Sequence, residues 1–316
     1  GTNWTEGNNL NTGRSNSSGT GTDNTSAICV GGETPSVTAV AETWNGTNWT
    51  EVGDLNTARD RLTTIGTATS ALSGGGQPGN TISELFNGTN WTEQNDLSTS
   101  RAFSSGAGTT SNGLIFGGGP AVTATEEWIG AGAAVNAWST SGSLNTARTS
   151  VRGGGPVSAA IAIGGNPPNY YAITEVYNGS NWTEVNDMNT GRNAGASAGT
   201  SPAALYSGGF QPGPANSALT ETWNGTNWTE VNDLNLARPF LYGFGTNTSA
   251  IATGGGAPPS PTGNTELWNG TNWTEVNNLN QTRRNAGTGG TDSTSGLAFG
   301  GNLPPGTNLK AQTETW

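Results

Sequence analysis

Histidine is absent from the 316 residues, and cysteine and lysine occur once each, as Cys29 and Lys310. Without histidine there is no imidazole general base, no Ser-His-Asp or Cys-His nucleophile system and no imidazole metal ligand. A lone cysteine excludes an intrachain disulfide. Charged side chains make up 10% of the chain, and no apolar run approaches the length of a membrane span, so membrane insertion is not expected. Net charge is −11. Nucleic-acid binding needs clustered Lys and Arg, which this balance disfavours.

Tryptophan is plentiful and periodic. Trp4, Trp49, Trp91, Trp138, Trp182, Trp228 and Trp273 recur every 42 to 47 residues, each followed ten residues later by an arginine: Arg14, Arg59, Arg101, Arg148, Arg192, Arg238 and Arg283. A disordered, Gly-, Asn-, Thr- and Ser-rich tract has no reason to keep that spacing. A period in this range marks a repeat architecture whose units bury their apolar faces only against one another. Most acidic residues belong to the same period. Glu42, Glu84, Glu126, Glu175, Glu221, Glu266 and Glu314 stand two positions before a second aromatic, and six more close a Trp-Thr-Glu unit.

One repeat, residues 59–101, reads as four short strands. Leu62–Gly66 and Ala71–Ser73 flank a turn-rich step, a loop Gln77-Pro78-Gly79-Asn80 follows, and Thr81–Phe86 alternates before Asn87-Gly88-Thr89-Asn90 reverses the chain into Trp91–Gln94. Asn-Gly is a strong hairpin signal because both residues accept positive φ. No helical periodicity is present. Seven such units predict an all-β, seven-bladed β-propeller of four-stranded antiparallel blades over 1–316. The chain starts with a fourth strand and ends at Trp316 with a third. Residues 1–9 and 284–316 therefore complete one blade, and N-terminal strand pairing closes the ring and removes open edges. The opening inside a repeat reads as a fragment or mature piece, and frequent Asn-x-Ser/Thr sequons on tight turns favour a bacterial or viral source.

The repeat resembles the kelch repeat, in which a Gly-Gly pair follows strand two, an aromatic ends strand three, a Trp lies in strand four and an Arg opens the next blade. The glycine pairs are Gly31-Gly32, Gly74-Gly75, Gly117-Gly118, Gly164-Gly165, Gly208-Gly209, Gly254-Gly255 and Gly300-Gly301; the strand-three aromatics are Trp44, Phe86, Trp128, Tyr177, Trp223, Trp268 and Trp316. This sequence departs from the family in its five-residue aromatic-to-Trp interval, its preference for Trp over Tyr, and the ten residues from Trp128 to Trp138. Tracts such as Glu-Thr-Trp-Asn-Gly-Thr-Asn-Trp-Thr-Glu also resemble repeat proteins of marine phages and environmental bacteria. The resemblance implies a propeller, while the missing histidines exclude a copper centre like that of galactose oxidase, a kelch-type enzyme.

The repeated carboxylates are a poor glycosidase pair, because a catalytic pair should break the symmetry. Gly153-Gly154-Gly155 lacks the Lys-Ser/Thr of a phosphate loop. Asp54 and its equivalents supply too few oxygens for Ca²⁺. We therefore expect no enzyme, no cofactor and no metal. Arg59, Arg101, Arg148, Arg192, Arg238 and Arg283 should pair with the repeat glutamates, and Trp49, Trp91, Trp182, Trp228 and Trp273 should fill the core; the competing expectation is a sugar platform or an anion ladder. What varies is the loop after strand two, around 33–39, 77–80, 120–123, 166–171, 210–218, 257–264 and 302–310, and loops carry specificity on rigid scaffolds. Tyr170, Tyr171 and Phe210 are the expected ligand anchors. The expected role is a binding or adhesion module of a viral or bacterial surface structure, virion-borne or extracellular, recognising a protein or surface glycan; the alternative is a multivalent propeller lectin with equivalent sites between blades.

Overall fold

A computed structural model describes residues 3–79, 81–130, 137–166, 170–213, 216–256, 261–303 and 308–316. Seven four-stranded antiparallel sheets form the blades of a β-propeller. Blade 1 is built from Ser18–Asp23, Ser26–Val30, Ala41–Trp44 and Trp49–Glu51, and blades 2 to 6 repeat the pattern over 63–93, 105–141, 152–184, 196–230 and 242–276. Each first strand packs on the next around the axis, and the first strand of blade 7, Gly287–Asp292, packs on Ser18–Asp23. Blade 7 takes its outer strand from the other end of the chain. Thr5–Gly7 pairs antiparallel with Thr313–Thr315, Glu6 opposite Glu314. Among the described residues the sole helical turn is a 3-10 turn at Val157–Ala159 in blade 4, which buries Val157.

Twin aromatics occupy opposed positions on strands three and four, for example Trp44 with Trp49 and Trp268 with Trp273. Directly opposed residues share a sheet face, and the ring centroids of the seven pairs lie 5.1–5.6 Å apart. The strand-four tryptophan also ties its blade to the one before. Nε1 of Trp4, Trp49, Trp182, Trp228 and Trp273 donates to the hydroxyl of Thr265, Thr313, Thr125, Thr174 and Thr220, respectively, at 2.7–2.9 Å. Trp4, Trp49, Trp91, Trp182, Trp228 and Trp273 are all buried, 5–6% exposed, as the core reading expects.

The repeat arginines and glutamates form a buried clasp in every blade. Arg59 Nη2 meets Glu84 Oε1 at 2.8 Å, and Arg101 Nη2 meets Glu126 Oε1 at 2.6 Å, with equivalents at Arg14–Glu42, Arg148–Glu175, Arg192–Glu221, Arg238–Glu266 and Arg283–Glu314. Carbonyl oxygens take further N–H groups; Arg59 Nη1 donates to Gly75 O and Ile82 O, both at 2.7 Å. The second glutamate oxygen accepts from the link to the preceding blade: Glu84 Oε2 takes the Asn56 backbone N–H and Nδ2, each at 2.7 Å. Burial lowers the arginine pKa at Arg59, Arg101 and Arg148, and the facing glutamate opposes that shift. A buried charge of this kind persists only when paired, and the pairing outweighs the Nε groups of Arg59, Arg148 and Arg283, which are buried without a hydrogen-bond partner.

Two local expectations need correction. The glycine pair of blade 2 is Gly75-Gly76, not Gly74-Gly75. Gly75 (φ 70°) and Gly76 (φ 100°) reproduce Gly31 (φ 60°) and Gly32 (φ 107°), whereas Gly74 lies in the strand Ser70–Gly74. The pair is needed because the next blade's arginine carbonyl presses on it; a Cβ on Gly31 would sit 2.3 Å from Arg59 O. In the Asn-Gly-Thr-Asn turns only the glycine takes positive φ, +91° at Gly46. The asparagine serves as a cap instead: Asn45 Oδ1 accepts from the N–H groups of Thr47 and Asn48 at 3.0 and 2.9 Å. This is the Asx-turn chemistry that Asn offers a tight reversal.

Candidate binding face and axial throat

The two faces of the ring differ in kind. One carries the turns between strands three and four, where the same asparagine cap recurs at Asn45, Asn87, Asn178, Asn224 and Asn269. The other carries the loops after strand two and the links from each fourth strand to the next blade. Of the varying loops, residues 80, 167–169, 214–215, 257–260 and 304–307 lie outside the described residues.

The expected anchors fall on this second face but are half-buried. Tyr171 is held through its backbone, its N–H donating to Gly165 O at 2.9 Å and its carbonyl accepting from Arg192 N at 3.1 Å. A Cβ on Gly191 would lie 2.1 Å from Tyr170 O, so the Tyr170 backbone is packed against the link to blade 5. Phe210 is bridged to Asn193 and Asn216, and its ring makes an edge contact with Phe240 at 5.2 Å. The structure thus places Tyr170 and Tyr171 in blade 4 and Phe210 in blade 5, and joins Phe210 to a residue that the loop-based reading did not single out.

That residue belongs to a ring. Two positions after each repeat arginine stand Asn16, Arg61, Phe103, Ser150, Ala194, Phe240 and Asn285, all with φ between 52° and 56°. A left-handed conformation is uncommon outside glycine and costs a bulky residue about 1–2 kcal/mol, yet no blade places glycine here. Part of the reason is a backbone belt: Arg61 N donates to Asn16 O at 2.9 Å, Phe103 N to Arg61 O at 3.1 Å, and Phe240 N to Ala194 O at 2.8 Å. All seven side-chain positions line an axial cavity of about 460 Å³ to which every blade contributes. A second cavity of about 260 Å³, edged by Gly19, Gly21, Gly199 and Gly245, shares Gly153, Ser197, Gly243 and Thr288 with it.

The three arginines outside the period gather around this throat. Arg61 lies over the Phe103 ring at 5.3 Å, and Phe103 is 48% exposed. Arg284 lies over Phe240, also at 5.3 Å. Arg152 lines the cavity and donates Nε to Gly195 O at 2.9 Å. Arg61 faces two carboxyl groups that also stand outside the period, Asp60 at 2.7 Å and Glu33 at 3.0 Å. Burial, followed by the neighbouring Glu33 carboxyl, pushes Asp60 up to about 7 against the pull of Arg61. Glu33 is held below its usual range, first by the neighbouring Asp60 carboxyl, with Arg61 and Asn16 adding to the effect and burial opposing it. Arg152 and Arg284 have no carboxylate partner among the described residues.

Sequence reasoning missed Phe103 and Phe240 because attention went to loop length. The signal was present in the residue two after each repeat arginine, which changes from blade to blade inside an otherwise constant motif. Among the described residues no three His, Cys, Asp or Glu side chains gather as metal ligands, and no helix is long and apolar enough to cross a membrane. No protein-family model matches the chain, and no curated protein is significantly similar to it in sequence. What the molecule itself offers is a seven-bladed propeller with one face on which five blades repeat the same capped turn and one face that differs from blade to blade.

Proposed function

We propose that this propeller is a non-catalytic binding module whose ligand, a protein or a surface glycan, docks on the face carrying the strand-two loops and the throat. The carrying observation is the contrast between faces: one repeats an asparagine-capped turn in five of the seven blades, while the other changes residue by residue and holds the exposed Phe103. Selective recognition needs asymmetric shape and polar placement, and aromatic side chains supply contact area at low entropic cost. The kelch resemblance fits this reading, since propellers commonly serve as binding scaffolds. The phage-like repeat tracts favour a role on a virion or a bacterial surface. Absence of histidine and the use of the repeat carboxylates as arginine clasps both argue against an enzyme.

The alternative, a lectin with equivalent sites between blades, loses support because the repeat tryptophans are buried in the blade seams. The test is a pull-down and a glycan array run with wild type, with Tyr170, Tyr171 and Phe210 all replaced by alanine, and with a control changed at Thr47 and Thr226 on the opposite face. Weakened binding by the triple variant alone is expected. Equal binding by wild type and triple variant, with loss in the control, would assign the ligand to the opposite face.

A further inference from the structure

We propose that the axial throat is a site for an acidic saccharide, its carboxylate held by Arg152 and its ring seated on Phe103. The inference rests on the reading of this face as the ligand face, and goes beyond it by naming a site and a chemical class.

Charge is the first argument. The protein is strongly acidic, and each of the seven repeat arginines is matched by its own glutamate. Arg152 breaks that rule. It lines the cavity, its Nε is committed to a carbonyl, and its terminal nitrogens have no protein partner among the described residues. Arg284, three blades further round the ring, is likewise without a carboxylate, and its Nε is buried and unpartnered among the described residues. A guanidinium left free in a recessed site is a carboxylate receptor, because its parallel N–H groups match the two oxygens.

Shape and lining give the second argument. The cavity, about 460 Å³, lies within the range of small-molecule sites. Its walls mix short polar side chains, among them Ser150, Ser197, Asn285 and Thr288, with backbone and with the apolar Leu62, Val151, Phe240 and Leu241. The polar part of such a wall hydrogen-bonds hydroxyls at several heights. Phe103 adds one flat apolar surface. The C–H face of a pyranose is electropositive and suits the negative face of an aromatic ring. Guanidinium, hydroxyl partners and one aromatic plate together describe a uronate or a sialate more closely than a neutral sugar or an extended acidic peptide.

The third argument is the backbone. Phe103 is held with φ at 55°, a conformation that persists only where the surroundings impose it and that clusters at ligand sites. The same φ recurs in all seven blades, and main-chain bonds from the neighbouring blade hold it at Arg61, Phe103 and Phe240, so these throat side chains are displayed by a frame that does not depend on their identity.

The test is isothermal titration calorimetry of the intact chain with glucuronate, digalacturonate and N-acetylneuraminate, against glucose and lactose as neutral counterparts and acetate and sulfate as plain anions. At least one acidic saccharide should bind, and each neutral sugar about ten- to a hundredfold more weakly, the loss expected for one charge-assisted contact. Arg152→Gln should abolish that preference and Arg152→Lys should keep part of it. Phe103→Ala should weaken the saccharide without changing acetate, and circular dichroism should show each variant folded. Acetate binding as tightly as glucuronate would reduce the throat to an anion site and overturn the proposal, as would an acid preference that survives Arg152→Gln. If no acidic sugar binds while the array or pull-down still maps a ligand to this face, the throat assignment fails and the broader reading stands. An acidic peptide titrated in parallel and bound more tightly would also overturn it.

Discussion

Trp91 and Ala41 share one apolar cluster at the place where five other blade seams join a tryptophan to a threonine hydroxyl. The Trp91 Nε1 is accordingly buried without a hydrogen-bond partner. Ala41→Thr should restore the missing acceptor and raise stability by about 1 kcal/mol, the net worth of one buried hydrogen bond. Urea unfolding of the two proteins measures this. A lower midpoint for the variant would mean that the added atoms crowd a seam already filled.

Breaking one clasp should be far more costly. Glu84→Gln keeps the shape but leaves Arg59 with an uncompensated buried charge, and about 3–5 kcal/mol of stability should be lost. The same change at the exposed Glu93, which faces Glu84 across the strands, should move the unfolding midpoint by less than about 0.5 kcal/mol. Similar effects at both positions would refute the assignment of stability to the buried clasp.

Ring closure can be tested by removal and return. A chain beginning at residue 10 lacks the outer strand of blade 7 and the Trp4 ring that packs 5.5 Å from Trp316. Its melting temperature should drop, and a synthetic peptide of residues 1–9 should raise it again in a concentration-dependent way. Trp4→Ala in the whole chain should cost about 3–5 kcal/mol. A truncated chain as stable as the full one would show that the seam contributes nothing.

Much of this architecture was legible because the period exposes it. Trp and Arg ten residues apart, with Glu two before an aromatic, are positions where burial and charge pairing leave little choice, so they recur and can be counted. The turn at Asn45 was legible as a turn but not in its geometry, since Asn can either adopt positive φ or cap its neighbours through Oδ1, and composition does not distinguish the two. The blade 2 glycine pair was misaligned because Gly74, Gly75 and Gly76 are consecutive and only backbone angles separate them. The variation at Phe103 and Phe240 was visible in the sequence, but their display around the throat was not. Their left-handed backbone is imposed by the neighbouring blade, a tertiary constraint that local sequence does not encode.

That constraint predicts an unusual substitution pattern. Phe103→Gly should be more stable than Phe103→Ala by about 1 kcal/mol, because glycine alone adopts φ near 55° without steric cost. At ordinary strand positions the order is reversed. Thermal unfolding of both variants reads the difference directly, and an alanine variant equal to or better than glycine would mean that the belt carries no strain.

Asp60 should give the protein a measurable pH dependence. Its folded pKa is raised from the ordinary carboxylate range to about 7, so the protonated form favours the fold. The contribution is complete below the unfolded value near 4 and is lost as pH rises through about 7. Glu33, shifted the other way, contributes above its unfolded value and loses that contribution at lower pH. Between pH 5 and 8 wild type should therefore lose stability relative to Asp60→Asn, which keeps the site neutral throughout. The relevant neighbours are Arg61, Glu33, Asn16 and Gln77. Parallel melting curves with a constant difference across that range would sink the idea.

The belt of left-handed residues has one consequence for how such a protein can change. Its hydrogen bonds use only main-chain atoms, so the throat can be re-lettered one blade at a time while the tryptophan seams and arginine clasps stay untouched. Seven positions open to change, on a ring whose grammar lies elsewhere, let the throat lining alter without refolding the blades.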